Sequence, residues 1–164
     1  MVERIRVAAL DPAADRSSFR CGVGALDRYF ATQASQDVRR RVAACFVATS
    51  PAGAIAGYYT LASASIGLGD LPENLARKLP RYPNVPAVRL GRLAVATAFK
   101  GQGLGAALLA DALRRAATAE IAAYALIVDA KDEEAARFYA HHGFEGFAAQ
   151  PLLLFLPLAV VKGL

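Results

Sequence analysis

The sequence predicts an α/β protein: one mixed, mostly antiparallel sheet flanked by helices, in a single domain over residues 1–164. Three observations predict it. Apolar runs at residues 43–48 and 54–63 are joined by Ser50-Pro51-Ala52-Gly53, which is turn chemistry at a hairpin tip. Later, β-prone runs at 87–96 and 124–128 are each followed by helix-forming sequence, the order of a βαβα unit. A chain of 164 residues with 55% hydrophobic and 20% charged residues can bury one substantial core and is not globally disordered.

Taken in order, residues 2–10 alternate as a first strand, and Asp11-Pro12 ends it. Leu26, Tyr29 and Phe30 at helical spacing predict a helix over 25–34; residues 37–41 are polar and end in Arg39-Arg40-Arg41. After the hairpin, Leu71-Pro72-Glu73 opens a short helix over 71–79 that Pro80 closes. Residues 81–86 are extended and lead into the strand at 87–96. A helix over 103–118 follows, then the buried strand at 124–128. Asp132-Glu133-Glu134 place negative charge in the first turn of another helix, which ends at Gly143. Residues 144–147 and 152–161 predict closing strands.

Composition excludes several classes. The start, Met1-Val2-Glu3-Arg4-Ile5-Arg6, has no apolar core of a signal peptide. The longest apolar run, 152–161, is too short to span a bilayer and contains Pro157. Cys21 and Cys45 suggest neither a disulfide framework nor a metal site. The expectation is a cytoplasmic protein with reduced thiols and no membrane partner. Charge is uneven: residues 1–100 hold fourteen Lys and Arg against seven Asp and Glu, and residues 101–164 five against seven, giving +7 and −2 within the net +5. A basic excess of this kind suits a polyanionic ligand, a phosphorylated cofactor or a nucleic acid.

The stretch around residues 92–106 organises the rest. The apolar Leu93-Ala94-Val95 stops, glycines recur at 101, 103 and 105, and a strong helix former starts at Ala106. Strand, glycine turn and helix N-terminus make a cradle for phosphate. Ala106-Ala107 stands where a P-loop needs Lys-Ser/Thr, which excludes that motif. A dinucleotide fingerprint fits loosely, with Ala106 as its third small residue and Asp129 in range, but some ninety residues of antiparallel pattern precede it.

Two strings together carry a resemblance: Arg92-Leu93-Ala94-Val95 with Lys100-Gly101-Gln102-Gly103-Leu104-Gly105, and Phe138-Tyr139-Ala140-His141-His142-Gly143-Phe144. They resemble the GCN5-related N-acetyltransferases, whose acetyl-CoA loop reads Gln/Arg-x-x-Gly-x-Gly/Ala, and the similarity covers nearly the whole chain. Lys100 departs from the usual Gln or Arg. Phe19-Arg20-Cys21-Gly22, Leu26-Asp27-Arg28-Tyr29 and Gly57-Tyr58-Tyr59-Thr60-Leu61 are similar to the TacT-like toxin branch. That branch implies acetylation of the amino group of aminoacyl-tRNA, a block of translation, a ribbon-helix-helix antitoxin as partner, and a homodimer. The apolar 152–161 segment suggests the same dimer, and an interior strand is its other reading.

The resemblance assigns roles by position. Residues 100–106 (Lys100, Gly101, Gln102, Gly103, Leu104, Gly105, Ala106) would take the pyrophosphate, and Leu93, Ala94 and Val95 the pantetheine arm, as an added strand. A backbone N–H of that strand would polarise the thioester oxygen. Leu93 and Val95 also read as core. Tyr139 would protonate the departing thiolate; its alternative is a packing tyrosine. Asp132 aligns with a CoA-contacting position, but its favoured single role is that of a helix N-cap. Phe138 reads as tunnel wall or core. His141 and His142, adjacent on a helix and the chain's only histidines, make no metal set, so no metal is expected. Among the basic residues, Arg39, Arg40, Arg41, Arg77, Lys78, Arg81, Arg89 and Arg92 are the candidates for the acceptor, each otherwise a solvated surface charge, with Arg89 and Arg92 beside the cofactor strand the preferred pair. The other readings are an acetyltransferase for a small-molecule or protein amine, and a non-enzymatic module that senses acetyl-CoA or binds nucleic acid.

Overall fold

The computed structural model describes residues 4–161. Strand β1 (Arg6–Ala9) is shorter than the strand expected over 2–10, whose Val2 and Glu3 lie outside the described residues. Asp11 turns the chain there, its Oδ1 accepting from the Ala13 N–H at 3.0 Å. The next helix runs five residues past the expected end at Ala34. It consists of α1 (Gly24–Arg28), one π turn (Tyr29–Gln33) and α2 (Ala34–Arg39). Phe30, Ala34 and Val38, spaced four apart, all pack on one core and carry it on. Arg41, at φ 61°, ends it in the left-handed conformation.

Strands β2 (Ala44–Thr49) and β3 (Ile55–Gly67) form the expected hairpin, with Phe46 opposite Tyr59. The Ser50 hydroxyl accepts from the Ala54 N–H at 3.1 Å and the Ser50 carbonyl from Gly53 N–H at 2.9 Å, which closes the tip. Helix α3 (Glu73–Ala76) is half the length expected over 71–79; beyond it only turn bonds continue, Lys78 to Leu75 and Leu79 to Ala76. A four-residue helix between two prolines cannot propagate. Strand β4 (Asn84–Val95) begins three residues earlier than expected and takes in Pro86, whose carbonyl accepts from the Tyr124 N–H at 2.8 Å.

Helix α4 (Leu104–Thr118), β5 (Ala125–Asp129) and α5 (Glu133–His141) follow as expected. Strands β6 (Glu145–Phe147) and β7 (Gln150–Pro157) close the chain; β7 stops at Pro157, four residues short of expectation, because a 3₁₀ turn takes Leu158–Val160. The seven strands hydrogen-bond in the order β1-β2-β3-β4-β5-β7-β6, with β4 and β5 parallel and the β1–β2, β2–β3, β5–β7 and β6–β7 pairs antiparallel. Strand β7 therefore lies between β5 and β6, so the apolar 152–157 segment is an interior strand of the sheet.

The chain forms two compact units. One holds the described residues up to Ala62 together with Gly91–Ala112; the other holds Ser63–Leu90 and the described residues from Leu113 on. The first has a core of Leu10, Phe19, Phe30, Val47, Tyr58 and Ala94, in which Phe30 and Tyr58 stack with centroids 4.2 Å apart. The second has a core of Val85, Ala87, Ala125, Ile127, Phe147 and Phe155. No helix among the described residues is long and apolar enough to cross a membrane.

Candidate active site

In the first unit, β4 runs into the glycine turn. Its parallel ladder with β5 spans Ala87↔Ala125 to Leu90↔Val128 and stops there, five residues before β4 itself ends. Residues 91–95 are therefore strand without a β5 register. The Ala94 carbonyl is held close to β3: a Cβ on Gly57 would come within 2.7 Å of it, and only glycine permits that approach. Ala94 is buried while Leu93 and Val95 are half-buried, so side chains pack as backbone runs past them. The packing reading of Leu93 and Val95 holds, and it leaves their backbone groups out of the β5 ladder.

The turn is built by conformation rather than by lack of space. Gly101 and Gly103 both have φ 79°, and a Cβ on either would meet nothing within 4 Å. Alternate left-handed residues swing successive N–H groups to one side, the geometry of an anion nest. Gly101, Gln102 and Gly103 are exposed, Leu104 is buried as the anchor, and Gly105 and Ala106 sit in the first turn of α4. That turn carries no acidic residue, so nothing opposes its positive end. Acetyl-CoA, whose pyrophosphate needs such N–H donors, fits these residues.

The ends of the turn are tied to the Phe19-Arg20-Cys21-Gly22 block, which sequence reasoning took only as a signature. The Thr97 N–H and hydroxyl both donate to the Arg20 carbonyl, at 2.8 and 3.1 Å. Lys100 Nζ donates to the Cys21 carbonyl at 2.6 Å and passes within 3.5 Å of where a Gly22 Cβ would stand. Lys100 thus tethers the loop with one of its three ammonium donors. Asp27 Oδ1 accepts from the Cys21 N–H at 2.9 Å and fixes the block to α1.

Arg92 lies with its guanidinium carbon 3.5 Å from the centroid of the Tyr29 ring. Tyr29, Gln33 and Asp37 were not picked out by the sequence as site residues. The buried Cys45 thiol, pushed up to about 12 by desolvation, is no nucleophile at neutral pH.

In the second unit, α5 carries Asp132, Phe138 and Tyr139. Asp132 is an N-cap, its Oδ1 accepting from the Ala135 N–H at 2.8 Å, so the capping role stands. Tyr139 is buried, its ring edge-on to Phe138 at 5.2 Å and to Phe144 at 5.6 Å. Burial pushes its phenol up to about 12. Its hydroxyl makes no hydrogen bond among the described residues, and it is not sealed from solvent. Arg89 pairs with Asp129 at 2.7 Å and lines a cavity of about 220 Å³ with Ser65, Asp70, Ile127, Gln150 and Leu153. Arg77 and Lys78 are exposed past α3. The structure thus gathers the expected cofactor loop, residues 93–95 and Arg92 in one unit, and Tyr139 with Arg77, Lys78 and Arg89 in the other. Among the described residues no group of three or more His, Cys, Asp or Glu could hold a metal ion.

A family model described as "Acetyltransferase (GNAT) domain" matches residues 25–150. A tRNA-acetylating toxin of Mycobacterium tuberculosis (strain ATCC 25618 / H37Rv) is 36% identical over 157 residues, covering 94% of this chain and 93% of its own. The structure of AtaT complexed with acetyl-methionyl-tRNAfMet superposes with a TM-score of 0.88 at 30% identity, over 95% of this chain and 96% of that one. The structure of AtaTR bound with AcCoA gives 0.80 at 30% identity over 94% of each chain. Matched along almost its entire length by these proteins, the chain belongs to the GNAT acetyltransferase family, in its TacT-like toxin branch.

Proposed function

We propose that this chain transfers the acetyl group of acetyl-CoA to the amino group of aminoacyl-tRNA in the cytoplasm, stopping translation. The observation that carries the reading is the exposed glycine turn between the end of the β4–β5 ladder and the first turn of α4. Its N–H groups, over residues 101–106, hold the pyrophosphate, with Lys100 fixing the turn from below. Leu93, Ala94 and Val95 offer backbone groups to the pantetheine arm, as a strand takes an added strand. The bound cofactor supplies a thioester whose acetyl carbon an amine can attack. A strand N–H aimed at the thioester oxygen accommodates the charge that develops there.

Tyr139 keeps its proton at neutral pH and can give it to the leaving sulfur. Phe138 walls the thiol end, and Asp132 acts through the cap of α5. The substrate amine, with an α-amino pKa near 7.7–8.0, is neutral in a large enough fraction to attack without a dedicated base. Arg77, Lys78, Arg89 and Arg92 hold phosphates of the acceptor. A ribbon-helix-helix antitoxin is the neutralising partner, and the toxin works as a homodimer.

Incubation with labelled acetyl-CoA and a mixed pool of charged tRNA, uncharged tRNA, polyamines and lysine peptides tests the reading. Label is expected on charged tRNA alone and is released by ester hydrolysis as an N-acetyl amino acid. Label on the small or peptide amines with charged tRNA untouched overturns it in favour of the other acceptor class.

A further inference from the structure

The helical run over Gly24–Arg39 changes register once, at the π turn Tyr29–Gln33, where the Ala34 N–H donates to the Tyr29 carbonyl. Such i→i+5 turns are rare and recur at functional sites. Here the turn leads a chain of three side chains. The Tyr29 hydroxyl donates to Asp37 Oδ2 at 2.8 Å, and Gln33 Nε2 donates to Asp37 Oδ1 at 3.1 Å. Both carboxylate oxygens are thus used, and these two bonds hold Asp37 below the usual carboxylate range, so it is ionised.

Arg92 reaches this platform from β4. Its guanidinium carbon lies 3.5 Å from the Tyr29 centroid, and both residues are half-buried. Contact with a ring face uses no N–H donor, so the fork keeps its five donors. Among the described residues, Arg92 makes no side-chain hydrogen bond and no ion pair within 4.0 Å; Asp37 is spoken for by Tyr29 and Gln33. A half-buried cation, oriented by an aromatic platform and with its neighbouring carboxylate Asp37 outside ion-pair distance, keeps its fork for an oxyanion that presents two oxygens, such as a phosphodiester. Arg92 immediately precedes Leu93, Ala94 and Val95, so this fork stands at the start of the strand proposed to carry the cofactor.

We propose that Tyr29 and Asp37, set by the π turn, are positioning residues for Arg92, and that the Arg92 guanidinium so held binds a phosphodiester near the acceptor end of aminoacyl-tRNA. This rests on the acceptor named above. The phosphodiester lies on the part of the substrate that must approach the cofactor strand, whereas a protein or small amine brings none.

Steady-state acetylation of charged tRNA over a salt series, with acetyl-CoA affinity by calorimetry and melting temperature alongside, tests it on the full chain. Arg92→Gln is expected to raise KM for charged tRNA about tenfold and lower the salt slope by about one, with kcat and acetyl-CoA affinity held. Arg92→Lys keeps the salt slope yet raises KM comparably, because an ammonium cannot replace the stacked fork. Tyr29→Leu should match Arg92→Lys, Tyr29→Phe and Asp37→Asn should lie between it and wild type, and Tyr29→Leu should add nothing to Arg92→Gln. Full additivity of that pair, an unchanged KM, or a shift in acetyl-CoA affinity alone overturns the proposal. If Tyr29→Leu does not fold, Tyr29→Phe and Asp37→Asn carry the test, and a fall in melting temperature without a KM change makes their role structural and overturns it. A wild-type chain that leaves charged tRNA unacetylated removes the acceptor reading and this proposal together; a wild type that acetylates it with Arg92 variants unaffected removes this proposal alone.

Discussion

A phenol is useful as an acid only while it keeps its proton until the leaving group asks for it. Tyr139 meets that condition through burial: its neutral form is favoured, and its pKa is pushed up to about 12. Because the shift is upward and the protonated form is the neutral one, Tyr139 stays protonated throughout the range in which the substrate amine loses its proton. The rate profile should therefore rise through pH 7.7–8.0 with the amine and stay flat to about pH 10, with no descending arm from Tyr139. Tyr139→Phe should lower kcat by about a hundredfold and leave the melting temperature unchanged. A pH–rate series on both proteins checks this: unchanged turnover in Tyr139→Phe removes Tyr139 as the acid, and a falling limb near pH 9 that Tyr139→Phe abolishes keeps it as the acid but overturns the upward shift. Lys100 shows a different case, where a position that a motif marks for a ligand also carries a tether. Its Nζ sits 2.6 Å from the Cys21 carbonyl, a partner seventy-nine residues away. No local pattern announces such a bond.

At the scale of elements, α5 depends on its cap. Asp132 satisfies one of the orphan N–H groups at the helix start, with Glu133 and Glu134 in the first turn adding favourable charge. Asp132→Ala should cost about 1 kcal/mol, read as a shift of the urea midpoint. Asp132→Asn should recover most of it, and neither should change the KM for acetyl-CoA if the side chain serves the cap alone. A raised KM in Asp132→Asn would restore Asp132 as a cofactor contact.

The hairpin, the β4–turn–α4 unit, β5 and α5 were legible because apolar period, turn residues and caps agree there with the tertiary outcome. The π turn was not legible. Leu26, Tyr29 and Phe30 fit an ordinary 3.6-residue period, and the wider turn appears only once Tyr29 must meet Arg92 and Asp37 while Phe30 packs on Tyr58. The short α3 and the stop of β7 at Pro157 were missed for a related reason, since apolar runs do not reveal where a ladder ends.

For the whole molecule, the basic excess read along the sequence takes a sharper form once the two units are known. Arg39, Arg40 and Arg41 are all exposed at the end of α2, in the unit that holds the glycine turn. Among the described residues none of the three makes a side-chain hydrogen bond or ion pair, so their charge is presented to solvent. Cations of this kind add little to stability, since nothing within the unit needs them. Toward a polyanion they act together, each contact releasing counterions. Replacing all three with Gln should lower the log–log salt slope of charged-tRNA binding by about two to three and leave acetyl-CoA affinity and melting temperature in place. Filter binding over a salt series measures the slope. A slope that does not move would mean that the nucleic acid passes elsewhere, and the basic contribution would then rest on Arg77, Lys78, Arg89 and Arg92.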